Sequence, residues 1–161
     1  IVVGKYDCNN YARIFSMIKT RVLRFSLPGK IAFCHASDVA KAHLTAYEKG
    51  HCGARYMLAG PFASWQEFSQ QAADVMGLNV RIRSIPHPLF VAIAYAQEFI
   101  ARFTNREPEM TSDMVFLEQE VSESFYRTEQ QQAERDLGYH SASLHTMIKD
   151  CYEWMSRAGY L

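Results

Sequence analysis

The 161-residue chain has no excess of charge: 17 basic residues meet 17 acidic ones. That balance gives no long-range field to gather nucleic acid or an anionic membrane. Lys19, Arg21, Arg24 and Lys30 form one short basic cluster, which reads as a surface patch or a pocket rim. Cysteines are few and unpaired in sequence, at 8, 34, 52 and 151, with no CxxC spacing. Free thiols in a reducing, cytoplasmic compartment are the expectation. No signal peptide precedes the opening "IVVG", which reads as the end of a buried strand and points to a piece of something longer. Long apolar runs are also missing. The greasiest stretch, "HPLFVAIAYAQEFIARF" at 87–103, is shorter than the ~20 apolar residues of a membrane span and carries Gln97, Glu98 and Arg102. It reads as a core helix or as the wall of an apolar pocket. Contact with a membrane surface is the weaker alternative.

What is present is regular punctuation. Apolar residues at 11, 14, 15, 18 and 22 follow a helical period over Tyr11–Leu23. Four later helices each start at a small polar residue and stop at a glycine: Ser37 to Gly50, Ser64 to Gly77, Thr128 to Gly138, and Ser143 or Ser141 to Gly159. Ser64 with Glu67, and Thr128 with Gln131, have capping-box spacing. The third helix buries Trp65, Phe68, Ala72 and Val75. The last buries a stripe of Leu144, Met147, Ile148, Cys151, Met155 and Ala158. A further helix is expected over 113–121. Strands are expected at residues 1–3, at "KIAFC" (30–34), at "ARYMLAG" (54–60), at "VRIRSIP" (80–86) and briefly at "SFYRT" (124–128). Strands alternating with long helices point to α/β construction.

The stretch "FCHASDVAKAH" (33–43) holds two histidines, a cysteine and an aspartate. Read as a metal site it fails. On a helix Asp38 and His43 point about 140° apart, and no third ligand lies nearby in sequence. Read as a helix start it works: Asp38 in the first turn meets free amide groups, and His43 packs at the edge of the buried face.

With its flanks, "FCHASDVAKAHLTAYEKGHCGARYMLAG" resembles a characteristic stretch of the extended short-chain dehydrogenase/reductases, the group of dihydroflavonol reductases, 3β-hydroxysteroid dehydrogenases and nucleotide-sugar epimerases. The residues that carry it are Asp38, Val39, Ala40, Ala42, His43, Gly50, Gly53, Tyr56, Leu58 and Gly60. "SWQEFSQQAADVMG", "TEQQQAERDLGY" and "YEWMSRAGYL" resemble later segments in the right order. "IVVG" resembles a Val-Tyr-Gly-Pro corner in which Lys5 replaces the proline.

The resemblance implies the C-terminal part of a Rossmann-type doubly wound sheet plus a small mixed α/β substrate-binding region. The chain is one unit, with residues 1–60 ending the Rossmann part and 61–161 forming the substrate-binding and C-terminal helical part. It implies an NAD or NADP cofactor held by a region upstream. This chain has no GxGxxG, and none of its six lysines follows a tyrosine by four residues, so no catalytic residue is assigned within it and it is expected to be inactive alone. Residues 4–30 and 80–110 border the implied pocket, with Lys5, Tyr6, Tyr11, His35, Arg83 and Phe90 as candidate substrate-binding residues and no metal ligand. The apolar 87–103 segment favours a small apolar substrate oxidised or reduced at a carbonyl or hydroxyl carbon. A part of an NAD-dependent sugar epimerase or dehydratase is one alternative, and a non-catalytic binding module the other. Expected partners are the small-molecule substrate and, because half a sheet leaves an open edge, a second copy of the chain.

Overall fold

Three short strand pairs and six helices make up the described part of the computed structural model, which covers residues 1–7, 10–104 and 123–161. The expected 113–121 helix lies outside these residues. The strands are β1 (Val2–Val3), β2 (Phe25–Ser26), β3 (Lys30–Ala32), β4 (Cys34–His35), β5 (Phe62–Ser64) and β6 (Arg83–Ser84). The helices are α1 (Arg13–Lys19), α2 (Ala36–Lys49), α3 (Trp65–Val75), α4 (His87–Thr104), α5 (Glu123–Leu137) and α6 (Leu144–Arg157). β1 runs parallel to β4 with Val2 opposite Cys34, and β2 runs parallel to β6 with Phe25 opposite Arg83. β3 and β5 are antiparallel, with Ile31 opposite Ala63. This is an α/β fold with parallel pairs, as the alternation of strands and helices required.

The main core forms where α1, α3 and α6 meet behind β1. Val3, Phe15, Ile18, Phe33, Phe68, Ala72, Ile82, Met147, Ile148, Cys151 and Met155 are buried in it. Phe33 and Phe68 stack at 5.0 Å with their planes 7° apart. Two of the caps read from sequence are present. The Ser64 hydroxyl accepts from the Glu67 N–H at 3.0 Å while the Glu67 carboxylate accepts from the Ser64 N–H. The Ser143 hydroxyl accepts from the Thr146 N–H at 3.2 Å.

Several elements differ from expectation, each for a local reason. α1 is shorter than Tyr11–Leu23. Residues 54–60 form no ladder: Tyr56 and Leu58 pack on a second cluster of Ala42, Ala133 and Tyr139. In the 80–86 segment only Arg83 and Ser84 pair. Before them, the Gln70 amide donates to the Val80 carbonyl and accepts from the Ile82 N–H, and Gln66 donates to the Ile82 carbonyl. Two side-chain amides thus take the place of a neighbouring strand. "SFYRT" is helical, because α5 already starts at Glu123, whose carboxylate takes Arg127 one turn on at 2.7 Å. Thr128 therefore sits inside α5, its hydroxyl donating to the Ser124 carbonyl, and caps nothing. α2 starts at Ala36, with His35 rather than Ser37 in the cap position, and Gly50 ends it at φ −67 instead of in a left-handed turn. His43 is exposed, its Nδ1–H donating to the Val39 carbonyl at 2.8 Å.

α4 buries Phe90 and Ala94 against Leu27, Ile85 and Val91, while Phe99 and Ile100 further along it are exposed. Leu89 and Tyr95 of the same helix are exposed. Among the described residues no helix is long and apolar enough to cross a membrane.

Candidate functional site

The parallel pair β1 and β4 ends at one place, and in open α/β sheets the carboxyl ends of parallel strands are where ligands sit. β1 runs on into Gly4, Lys5 and Tyr6, while β4 ends at His35 and turns into α2. The two exits nearly touch: a Cβ added at Gly4 would lie 2.6 Å from the Ala36 Cβ, so glycine is required there. A cleft of about 360 Å³ opens beside them, lined by Val2, Gly4, Lys5, Tyr6, Asp7, Asn10 and Ala36.

The loop that forms this cleft is tightly built. Tyr6 adopts φ 70, a left-handed conformation that costs an L-residue about 1–2 kcal/mol. Its ring lies 5.2 Å from Trp154 of α6. One Asp7 oxygen accepts from the Asn10 N–H at 2.9 Å and the other from the Ala12 N–H at 3.2 Å, tying the loop down ahead of α1. Tyr11 follows, stacked 5.8 Å from Trp65, and burial together with the nearby Asp7 charge pushes its phenol pKa up.

Charges then run in a chain from the cleft into the protein. Lys5 Nζ is 3.4 Å from Asp150 Oδ2, and the same oxygen is 3.3 Å from His35 Nε2. On its other side the imidazole places Nδ1 3.7 Å from Asp38 Oδ2. Lys41 approaches the second Asp38 oxygen at 3.6 Å. His35 is 7% exposed, and its Nε2, close to Asp150 but misaligned, makes no hydrogen bond. Asp38 does not cap its own helix. Its Oδ2 accepts from the Ala142 N–H at 2.9 Å, joining the start of α2 to the turn before α6. Below them Cys151 is buried, its thiol pushed up to about 12 by burial with Asp7 and Asp150 adding to it, so it stays protonated and unreactive.

The structure brings Lys5, Tyr6 and His35 to one place and sets Tyr11 just behind it. Arg83 lies elsewhere, exposed on β6 beside Phe25, and Phe90 is closed into the α4 cluster. Asp150 escaped the sequence reading because it approaches Lys5 and His35 only through the tertiary fold. Asp7 and Asn10 left a faint trace, an aspartate shortly before a helix. A second concavity of about 320 Å³, between Gly60–Phe62 and α5, is lined by Tyr126, Gln130, Gln131 and the Glu123–Arg127 pair, away from the strand ends. Among the described residues no three His, Cys, Asp or Glu side chains are placed to hold a metal ion.

No family model and no curated protein matches the chain. Solved structures do. The chain is similar to gox2253, with 18% identity and a TM-score of 0.76 over 99% of this chain and 48% of that one. It is similar to PA4631, a nucleoside-diphosphate-sugar epimerase from Pseudomonas aeruginosa, with 19% identity and a TM-score of 0.70 over 99% and 47%. It is also similar to the enzyme WbmH of Bordetella bronchiseptica in complex with NAD+, with 16% identity and a TM-score of 0.60 over 98% and 44%. The chain thus spans about half the length of the structures it matches. At these identities the likeness establishes the fold alone: the chain has the α/β, Rossmann-type fold of about half of each of these structures.

Proposed function

We propose that this chain is the substrate-side part of an NAD(P)-dependent enzyme acting on the sugar of a nucleoside diphosphate sugar, by epimerisation, dehydration or reduction. In this reading residues 1–60 complete the cofactor-side sheet, and residues 61–161 contribute the substrate-side and C-terminal helices. The observation that carries it is the convergence of Lys5, Tyr6 and, through Asp150, His35 at the carboxyl ends of the parallel β1–β4 pair. The nature of the lining favours a sugar over the apolar substrate expected from sequence. Lys5, Asp7 and Asn10 present charge and hydrogen-bonding groups to the cleft, and no residue of α4 lines it. The naming of PA4631 as a nucleoside-diphosphate-sugar epimerase points the same way.

The residues present do not form a dinucleotide cradle. The chain has no glycine-rich turn between a strand and a helix, and no tyrosine–lysine pair of the required spacing. The chemistry of the cofactor therefore belongs to the rest of the enzyme in this reading. What this chain supplies is binding. The Lys5 ammonium offers charge-assisted hydrogen bonds to substrate oxygens, and Asp150 holds that ammonium beside the cleft.

The test is turnover by the natural polypeptide that carries this sequence. It is supplied with NAD+ or NADP+ and offered nucleoside diphosphate sugars beside steroid-like and flavonoid-like ketones. Turnover of a sugar nucleotide, reduced about tenfold by Lys5→Met, is the expected result, one charged hydrogen bond being of that size. Turnover of the ketones alone returns the apolar reading. No turnover and no dinucleotide binding overturns both.

A further inference from the structure

His35 is buried beside the cleft and leaves a polar atom idle. Its Nε2 is closed off from solvent without a hydrogen-bond partner. Both ring nitrogens face carboxylates. Nε2 stands 3.3 Å from Asp150 Oδ2 of α6, and Nδ1 stands 3.7 Å from Asp38 Oδ2 of α2. A neutral imidazole has one N–H and one lone pair, so either tautomer turns a lone pair toward a carboxylate. Only the imidazolium donates on both sides.

The two carboxylates differ in what else holds them. Asp38 is committed: it accepts from the Ala142 N–H at 2.9 Å and is approached by Lys41 at 3.6 Å. Asp150 is adjustable. Its Oδ2 has Lys5 Nζ at 3.4 Å and His35 Nε2 at 3.3 Å. A charge-assisted N–H···O bond closes at about 2.7–2.9 Å, so this one oxygen is shared by two nitrogens and committed to neither. The Asp150 and Lys5 side chains are 30% and 48% exposed, which leaves both room to shift. The other titratable groups nearby are occupied or silent. Burial raises Cys34, the neighbour of His35, and Tyr139, near Asp38, so both stay protonated. Asp7, on the cleft, spends its two oxygens on the Asn10 and Ala12 N–H groups.

We infer that His35 is a proton-controlled positioning residue for Lys5. With the ring neutral, Asp150 serves as counter-ion to the Lys5 ammonium. When the ring gains a proton, its Nε2–H takes Asp150 Oδ2, and the ammonium is released to an anionic oxygen in the cleft. The new positive charge beside the cleft acts in the same direction, so an anionic ligand binds more tightly on the acid side. Histidine suits the task because it is the side chain that ordinarily changes charge between pH 5 and 8. The ligand, a diphosphate, rests on the function proposed above. The coupling of His35 to Lys5 rests on the geometry alone.

The experiment is an NMR titration of the natural polypeptide carrying this sequence, isotope-labelled at lysine and histidine and free of ligand, over the range in which histidine changes charge. The Lys5 side-chain signal, assigned by its loss in Lys5→Met, should step at the same midpoint as the His35 ring. The step should vanish in His35→Gln and in Asp150→Asn, and persist in His43→Gln, an exposed histidine bonded to its own helix. No step, or a step that survives His35→Gln, overturns the inference. A step that survives Asp150→Asn shows a field effect without the shared oxygen and overturns it too. Should His35→Gln fail to fold, Asp150→Asn, at a partly exposed side chain, decides alone. Turnover is then followed with UDP-glucose, a nucleoside diphosphate sugar. KM should rise with pH through the step by up to about tenfold, the size of one charged hydrogen bond, with kcat unchanged, and be flat in His35→Gln. A Lys5 step with a flat KM overturns the link to the ligand. A flat Lys5 signal in an enzyme that turns over sugar nucleotides overturns the inference and leaves the function standing. A step in a polypeptide with no such turnover keeps the proton control and overturns the function.

Discussion

Asp38 offers the sharpest test of how the two ends of this chain are held together. Its carboxylate accepts the Ala142 N–H at 2.9 Å across 104 residues of sequence, and its side chain is only 15% exposed. In Asp38→Ala the Ala142 N–H loses a charged acceptor, at a cost of about 1.5–3 kcal/mol. The first turn of α2 also loses a negative charge, about 0.3–1 kcal/mol more. The Lys41 contact, between an exposed ammonium and the same carboxylate at 3.6 Å, adds nothing that would change the sum. The total is about 2–4 kcal/mol. At about 2–4 °C per kcal/mol for a chain of this size, the melting temperature falls by about 5–15 °C. Asp38→Asn keeps an oxygen acceptor and removes the charge, so it should cost about 1 kcal/mol. Urea unfolding followed by circular dichroism measures both, and amide exchange at Ala142 should quicken in the alanine variant. If alanine costs less than about 0.5 kcal/mol, the cross-link is idle. If asparagine costs as much as alanine, the stabilisation lies in charge rather than in the hydrogen bond, and the reasoning fails.

Phe68→Ala removes the ring stacked on Phe33 in the main core and should cost about 3–5 kcal/mol in the same unfolding assay. Ser64→Ala breaks the capping box and should cost about 1 kcal/mol. Its Glu67 partner is held below the usual 4.5 by the Ser64 backbone and side-chain hydrogen bonds. That contribution should therefore be complete above the ordinary carboxylate value and fade as pH falls through the lower folded value, which a pH series of melting curves would show as a wild-type advantage shrinking only in acid. Cys52 should be alkylated in the native protein, while buried Cys34 and Cys151, both with thiols raised by burial, should react only after denaturation; peptide mass mapping reads each one.

The caps at Ser64 and Ser143 and the stripe from Leu144 to Met155 were legible because each is a local pattern, complete within a turn or two of chain. Residues that rely on distant partners were not. "ARYMLAG" has the composition of a buried strand, but composition does not say whether a neighbour is there to pair with, and here the side chains of Tyr56 and Leu58 find a cluster instead. Gln66 and Gln70 look like solvated helix residues, yet their amides do the work of a strand. At the site, Lys5, Tyr6 and His35 could be named because they flank two strand ends. Asp150, which draws Lys5 and His35 together, sits on the last helix with nothing in its neighbourhood to mark it.

Gly4 and Ala36 pass so closely that not even a methyl group fits between them. That contact makes the floor of the cleft incompressible. The strand exits cannot approach further, and any side chain at Gly4 would wedge them apart. Under the proposed function, adaptation to ligands of different size comes from the walls: the long Lys5 side chain and the Tyr6 ring leaning on Trp154. A family of variants made for altered ligand choice should accept changes at those walls and lose the fold's alignment when the floor is touched.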